Sequence, residues 1–197
     1  MKTFFTSLLF LPLVASCAAA PSGPIGMPLQ ERLHNPLVAE QYWGGLAEHM
    51  ADLVRFEDPI TKNEVKMAVI DSERLRALDL VAKARALKSE GVSGTFLQPT
   101  PHEMAMGEVL LRGETLSFGP SFLIDPNPSV HVYLTTVTDP RDATFPDETS
   151  IDLGALQTAY GGQEYAVPSG KENPQLRTVV LYDTQLERLI GFAQLAK

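Results

Sequence analysis

The side chains able to do chemistry are few and poorly matched in spacing. Four histidines occur, His34, His49, His102 and His131, and no pair falls at H-x-x-x-H or H-E-x-x-H, the spacings that put two ligands on one helix face. His131 and Tyr133 stand two apart, on one face of a strand, and form one candidate ligand pair; His102 beside Glu103 is another. A metal or a flavin held by His102, His131 or Tyr133 is the alternative to having no cofactor, and no cofactor is the expectation. Asp139, Asp142, Asp147 and Glu148 offer oxygen ligands to calcium, but their spacing fits no calcium loop and reads as solvated charge. Ser117 and Ser129 lack a G-x-S-x-G context, and neither phosphate-binding glycine motif occurs, so no catalytic residue is assigned. Tyr133, Tyr160, Tyr165 and Tyr182 could form an electron ladder, although aromatic residues in a β domain usually pack.

The one cysteine, Cys17, sits at an informative place. Residues 1–16 hold a single basic residue, Lys2, then an apolar run from Phe4 to Ala15. That run falls short of the ~20 residues needed to cross a ~30 Å hydrocarbon core, so it reads as a secretory signal. Val14-Ala15-Ser16-Cys17 resembles a bacterial lipobox, in which the thiol receives a diacylglyceryl group. The competing cleavage site, Ala18-Ala19-Ala20, would release a soluble chain without the cysteine. A free thiol is a liability in an exported protein, which favours acylation of Cys17. Multiple acyl (palmitate-type) chains anchor stably where one does not. The expected location is the bacterial cell envelope, facing the periplasm or exterior. The outer membrane is favoured in a Gram-negative cell because Ala18 rather than Asp follows Cys17.

The elements that must position these groups fall into two zones. The 16 basic and 24 acidic side chains leave a formal charge of −8, a poor match to nucleic-acid phosphate or to anionic lipid. With 44% hydrophobic and 20% charged residues the chain has a globular composition. Residues 17–35, with prolines at 21, 24 and 28, form a tether. Residues 36–92 read as a helical hairpin. Asn35-Pro36 is an N-cap followed by proline at the first helical position, and Trp43, Leu46, Met50, Leu53 and Val54 recur at helical spacing. Gly44-Gly45 allows close packing or a kink. Asp58-Pro59 ends that helix, and Thr61-Lys62-Asn63-Glu64 matches a capping box for the next. Its apolar face runs Leu75, Leu78, Val81, Ala82, Leu87, with an interruption at Asp71-Ser72, and Gly91 stops it. The bases Lys83, Arg85 and Lys88 are expected to face Glu90 as a solvated surface. The stripe through Trp43, Met50 and Phe56 reads as core, with a docking groove as the alternative.

From 93 to 197 the punctuation is that of an antiparallel sandwich or barrel, making the whole chain α+β. Strands are expected at 94–97, 107–111, 115–118, 130–134, 164–167, 178–182 and 189–195. The segment 138–150 is a long polar loop.

Within that zone the motifs resemble the electron-transfer DM-thirteen domain, the Skeletor-type module. His102-Glu103-Met104-Ala105-Met106-Gly107 with Val109 resembles its opening strand. Pro128-Ser129-Val130-His131-Val132-Tyr133-Leu134 resembles its apolar-x-apolar-Tyr-Leu strand. Asp152-Leu153-Gly154-Ala155-Leu156, then Gly161, Gln163 and Tyr165 through Pro168, resemble its most specific run. Val179-Val180-Leu181-Tyr182 and Gly191-Phe192-Ala193 resemble its last two strands. The resemblance implies a β-sandwich-like fold and a redox role. Members often carry Trp-Cys where this chain has Tyr182-Asp183, and a carboxylate cannot perform thiol redox chemistry. The expectation is therefore a lipid-anchored, non-catalytic accessory module with an envelope protein as partner.

Overall fold

The structure is a computed structural model and describes residues 27–169 and 175–197. The signal at 1–16, Cys17 and the first part of the tether lie outside the described residues. The tether's last part contains a short helix, α1 (Leu29–Arg32).

Two long helices follow, α2 (Pro36–Arg55) and α3 (Glu64–Ser89), joined through a 3-10 turn at Pro59–Lys62. The Asn35 carboxamide oxygen accepts the Leu37 and Val38 N–H groups, satisfying donors that the first turn cannot pair internally. The second cap differs from the expected box. Asn63, not Thr61, occupies the cap position and accepts from Lys66 N, while Thr61 Oγ1 donates to Asp58 O. The helix begins at Glu64, one residue after Asn63, and the turn at 59–62 directs Thr61 back to Asp58.

Asp71-Ser72 does not break α3; Ser72 Oγ donates to Val69 O, inside the helix. Its packed seam is Ile70, Ala77, Val81 and Ala84, which shares only Val81 with the expected face. Leu75 (69% exposed), Leu78 (48%) and Leu87 (37%) point away from it. A two-helix hairpin offers each helix one neighbour, so only a narrow seam is covered. Phe56 is 73% exposed and does not join the core. A Cβ on Gly44 or Gly45 would meet nothing within 4 Å, so these glycines serve no close approach. The bases pair elsewhere than Glu90: Lys83 with Asp79 (2.7 Å), Arg85 with Glu40 (2.8 Å), and Lys88 with Glu108 (2.7 Å). Glu90 faces Arg112.

The rest is antiparallel β. The strands are β1 (Val92–Leu97), β2 (Ala105–Met106), β3 (Glu108–Arg112), β4 (Thr115–Phe118), β5 (Leu123–Ile124), β6 (Val130–Thr135), β7 (Ile151–Ala155), β8 (Glu164–Ala166), β9 (Thr178–Asp183) and β10 (Arg188–Gln194). Eight form one sheet in the order β7-β6-β9-β10-β1-β3-β4-β8, and β2 with β5 makes a small ribbon. Strand β1 turns the corner, pairing through residues 92–95 with β3 and through 96–97 with β10. The sheet curls into a nearly closed barrel around Phe96, Phe118, Phe122, Leu116, Val132, Leu134, Leu181 and Ile190. All seven expected strands are present. Strand β2 falls within the segment that resembles the family's opening strand, while β5 and β7 were not expected as strands: β5 has only two residues, and β7 carries a glycine at φ +102°, poor strand material.

The hairpin is seated on the barrel at its base. Asn35 Nδ2 donates to Phe118 O (2.9 Å), Leu37 lies against Gly119, and a Cβ on Gly162 would come within 2.6 Å of the Val38 side chain.

Candidate functional site

Strand alternation sends Val130, Val132 and Leu134 into the barrel and His131, Tyr133 and Thr135 outward. The outward face is not simply solvated. Loop 136–150 folds over it and places Phe145 against two tyrosines, making a second small core with Val180, Phe192 and Leu189. Phe145 lies 5.4 Å from Tyr133 and 5.3 Å from Tyr182, and the two tyrosine rings are 6.3 Å apart. Tyr133 and Tyr182 are each 8% exposed.

Register assembles the polar half of this face. His131 is opposite Tyr182 on β9, and Tyr133 is opposite Asp152 on β7, after a bulge in the β6–β7 pairing. The bulge brings Asp152 within reach of both residues on β6. His131 Nδ1 lies 2.9 and 3.1 Å from the two Asp152 oxygens, and the His131 and Tyr133 rings stack at 6.3 Å. Burial, with Asp152 and then Tyr182 nearby, raises the Tyr133 phenol above its ordinary value. Burial, with the charge of Glu187, raises Tyr182. Both phenols are thereby harder to ionise.

The long loop is organised by its own carboxylates. Asp139 grips Arg141, whose hydrogen bonds hold that carboxyl below the usual range against some desolvation, and Arg141 lies over Phe192 at 5.1 Å. Asp147 accepts from Thr135 Oγ1 (2.8 Å), Thr149 N (3.0 Å) and Ser150 Oγ. Desolvation raises its carboxyl, but these donors outweigh that and lower it to about 2. The four loop acids do not converge as a calcium site would require. Among the described residues no three His, Cys, Asp or Glu side chains come together to hold a metal ion. His131, Tyr133 and Asp152 offer two ligating groups and a protonated phenol, one fewer donor than catalytic zinc sites take from their protein.

Asp183 ends β9 completely buried. Its carboxylate accepts from Gln185 N (2.9 Å), Leu186 N (2.9 Å) and Ser129 N (3.3 Å). Desolvation pushes its carboxyl up, and those backbone donors with Arg188 pull it further down, below the ordinary range. It therefore ties the β9–β10 turn to the entry of β6.

The remaining motif residues build the frame. Gln163 Oε1 accepts from Gln157 N (3.1 Å), Thr158 N (3.2 Å) and Tyr165 Oη (2.8 Å), and its Nε2 donates to Thr158 O (2.9 Å). Burial raises the Tyr165 phenol strongly. Tyr165 and Val167 both point inward, and Pro168 is exposed beyond the strand. Gly107, Gly154 and Gly161 take φ of +111°, +102° and +81°. Leu153 and Leu156 pack against the main core.

His102 is exposed on the loop before β2 and shares no contact with His131, so the two histidines considered as ligands are not brought together. Its neighbour Glu103 is buried and pairs with Arg188. Ser117 donates to Glu164 (2.9 Å), and Ser129 shares a bond with Thr184 (2.8 Å), so neither faces a histidine base. Of the four-tyrosine ladder, only Tyr133 and Tyr182 meet; Tyr160 is 57% exposed and Tyr165 belongs to the barrel interior. Sequence reading missed Phe145, gave Asp147 only as solvated charge, and gave Asp152 only as part of a motif run, with no tie to His131 or Tyr133. Phe145 carried a signal, being the one aromatic residue in an otherwise polar loop. Asp152 carried only its place in the motif run, because its reach to β6 depends on the bulge.

An antiparallel barrel bearing an aromatic, histidine-containing outer face and a basal helical hairpin defines a small β module, built to hold aromatic side chains in contact beneath a loop. Residues 97–195 match the family described as Electron transfer DM13, and the chain belongs to that family. No curated protein and no solved structure gives a significant match. No helix among the described residues is long and apolar enough to cross a membrane.

Proposed function

We propose that this protein is a cell-envelope accessory module of an electron-transfer system, anchored by acylated Cys17 and acting by binding rather than by turnover. One observation carries the reading. At Asp183, where family members often hold a thiol, a buried carboxylate is engaged by three backbone N–H groups. That position serves the turn and cannot cycle between oxidation states. Cys17 is the sole cysteine, and acylation would consume it. The partner is an envelope protein, in keeping with the apolar residues that α3 leaves uncovered.

Native-purified protein without stoichiometric metal or flavin, by metal analysis and absorbance, is the expected outcome. Turnover of an envelope substrate by the protein alone would overturn the reading. Processing at Cys17 that is blocked by globomycin tests the anchor; an unmodified start at Pro21 would refute it. The second reading, a redox role through bound metal or flavin, draws on the His131–Asp152 pair beside Tyr133, and stoichiometric cofactor in the same preparation would favour it.

A further inference from the structure

The outer sheet face holds a group that the accessory reading does not use. We propose that Tyr133 is a redox-active tyrosine, with the Asp152 carboxylate as its proton acceptor and Phe145 and Tyr182 as its shield.

Tyr133 and Asp152 are cross-strand partners, so their side chains leave neighbouring backbone positions on the same face. Asp152 is held in place from two sides: Oδ1 accepts the Gly154 N–H (2.8 Å), and both oxygens face His131 Nδ1. A neutral phenol is hard to oxidise without losing its proton, because the radical cation left behind is a strong acid. The Asp152 carboxylate, opposite Tyr133 on the neighbouring strand, is the base that removes that obstacle. In the step, the Tyr133 O–H bond breaks and its proton forms an O–H bond on Asp152. One electron leaves to an external high-potential one-electron acceptor, the tyrosine becoming a neutral radical and the acceptor being reduced by one unit. No atom is transferred elsewhere, and reduction by one electron with return of the proton restores the start.

Shielding separates this tyrosine from the others. Phe145 stands edge-on to it at 89°, and the loop covers the pair, whereas Tyr160 and Tyr42 are 57% and 40% exposed. An exposed tyrosyl radical meets solvent reductants and other chains; Tyr133 is covered. His131, stacked on Tyr133 and paired with Asp152, keeps the carboxylate oriented.

The test is photo-oxidation of the full chain by tris(bipyridine)ruthenium(III), generated by light with a cobalt(III) ammine as sacrificial acceptor. The tyrosyl radical is read by electron paramagnetic resonance after rapid freezing. Y133F is expected to remove most of the signal, while Y160F and Y42F leave it. D152N retains an oxygen for Gly154 but has no base, and is expected to slow formation about tenfold or more. Unaltered protein supplies a measurement free of folding effects: a solvent deuterium isotope effect on radical formation well above one. A signal that survives Y133F, one that follows Y160F, or an isotope effect of one would each overturn the proposal. Loss of membrane attachment in a Cys17→Ser protein that still forms the radical would count against neither claim, so the two fail separately.

Discussion

Restoring a thiol at the end of β9 by Asp183→Cys tests why this chain lacks one. Cysteine is close to aspartate in size, so packing is little changed and the loss is polar. The carboxylate accepts three backbone N–H groups, two of them at 2.9 Å and one at 3.3 Å. Gln185 and Leu186 are exposed, so water can reach their donors in the variant, while Ser129 is half-buried. Charge-assisted bonds are worth about 1.5–3 kcal/mol each when unopposed, and partial rehydration of two of them leaves a net loss of about 2–4 kcal/mol. Asp183→Asn keeps one oxygen for Gln185 and Leu186 and gives up the charge and the Ser129 acceptor, for a loss of about 1–2 kcal/mol. Both are measured by urea unfolding followed by circular dichroism in a Cys17→Ser background, with thiol labelling as the second readout. The introduced thiol is expected to label slowly in the folded state. A cysteine variant within about 0.5 kcal/mol of its parent, labelling at the rate of an open thiol, would refute the structural role given to Asp183.

Asn35→Ala removes the cap of α2 and the donor to Phe118 O in one change, costing about 2–4 kcal/mol in the same unfolding assay; Asn35→Ser, which retains the cap only, should recover about 1 kcal/mol of it. Asp147 is depressed to about 2 when folded, so its contribution of roughly 2 kcal/mol is complete above about pH 5 and is lost as pH falls through the unfolded and then the folded value. Asp147→Asn should therefore flatten that acid limb of the stability curve. Gly162→Leu drives side-chain atoms into Val38 and is expected to loosen the hairpin from the barrel, seen as faster amide hydrogen exchange at Leu37 and Val38, with strand content retained.

The helices and most strands were legible because each has a repeating signal: Asn35-Pro36 as a cap, alternation through Val130–Leu134, and β-branched runs in β9. The face of α3 was not legible. Its apolar residues surround the axis, and only the tertiary arrangement selects Ile70, Ala77, Val81 and Ala84 as the seam. The site was half legible. His131 and Tyr133 stood out by strand spacing, and Tyr182 by its motif. Asp152 entered only through a bulge, and Phe145 only through the path of a long loop. His102 was misleading because two histidines near family motifs look alike in one dimension, while one ends on an exposed loop and the other on a covered sheet face.

The curled sheet ends in two strands, β7 and β8, that do not pair with each other. Unpaired rims invite a foreign chain to dock along them. Here β8 is three residues long, β7 is bent at Gly154, and the loop between them fastens across the gap through Gln157 Nε2, which donates to Glu164 O at 2.7 Å. The opening is thereby too short and too crooked to template growth, and copies of the chain crowded together are kept from zipping into fibres.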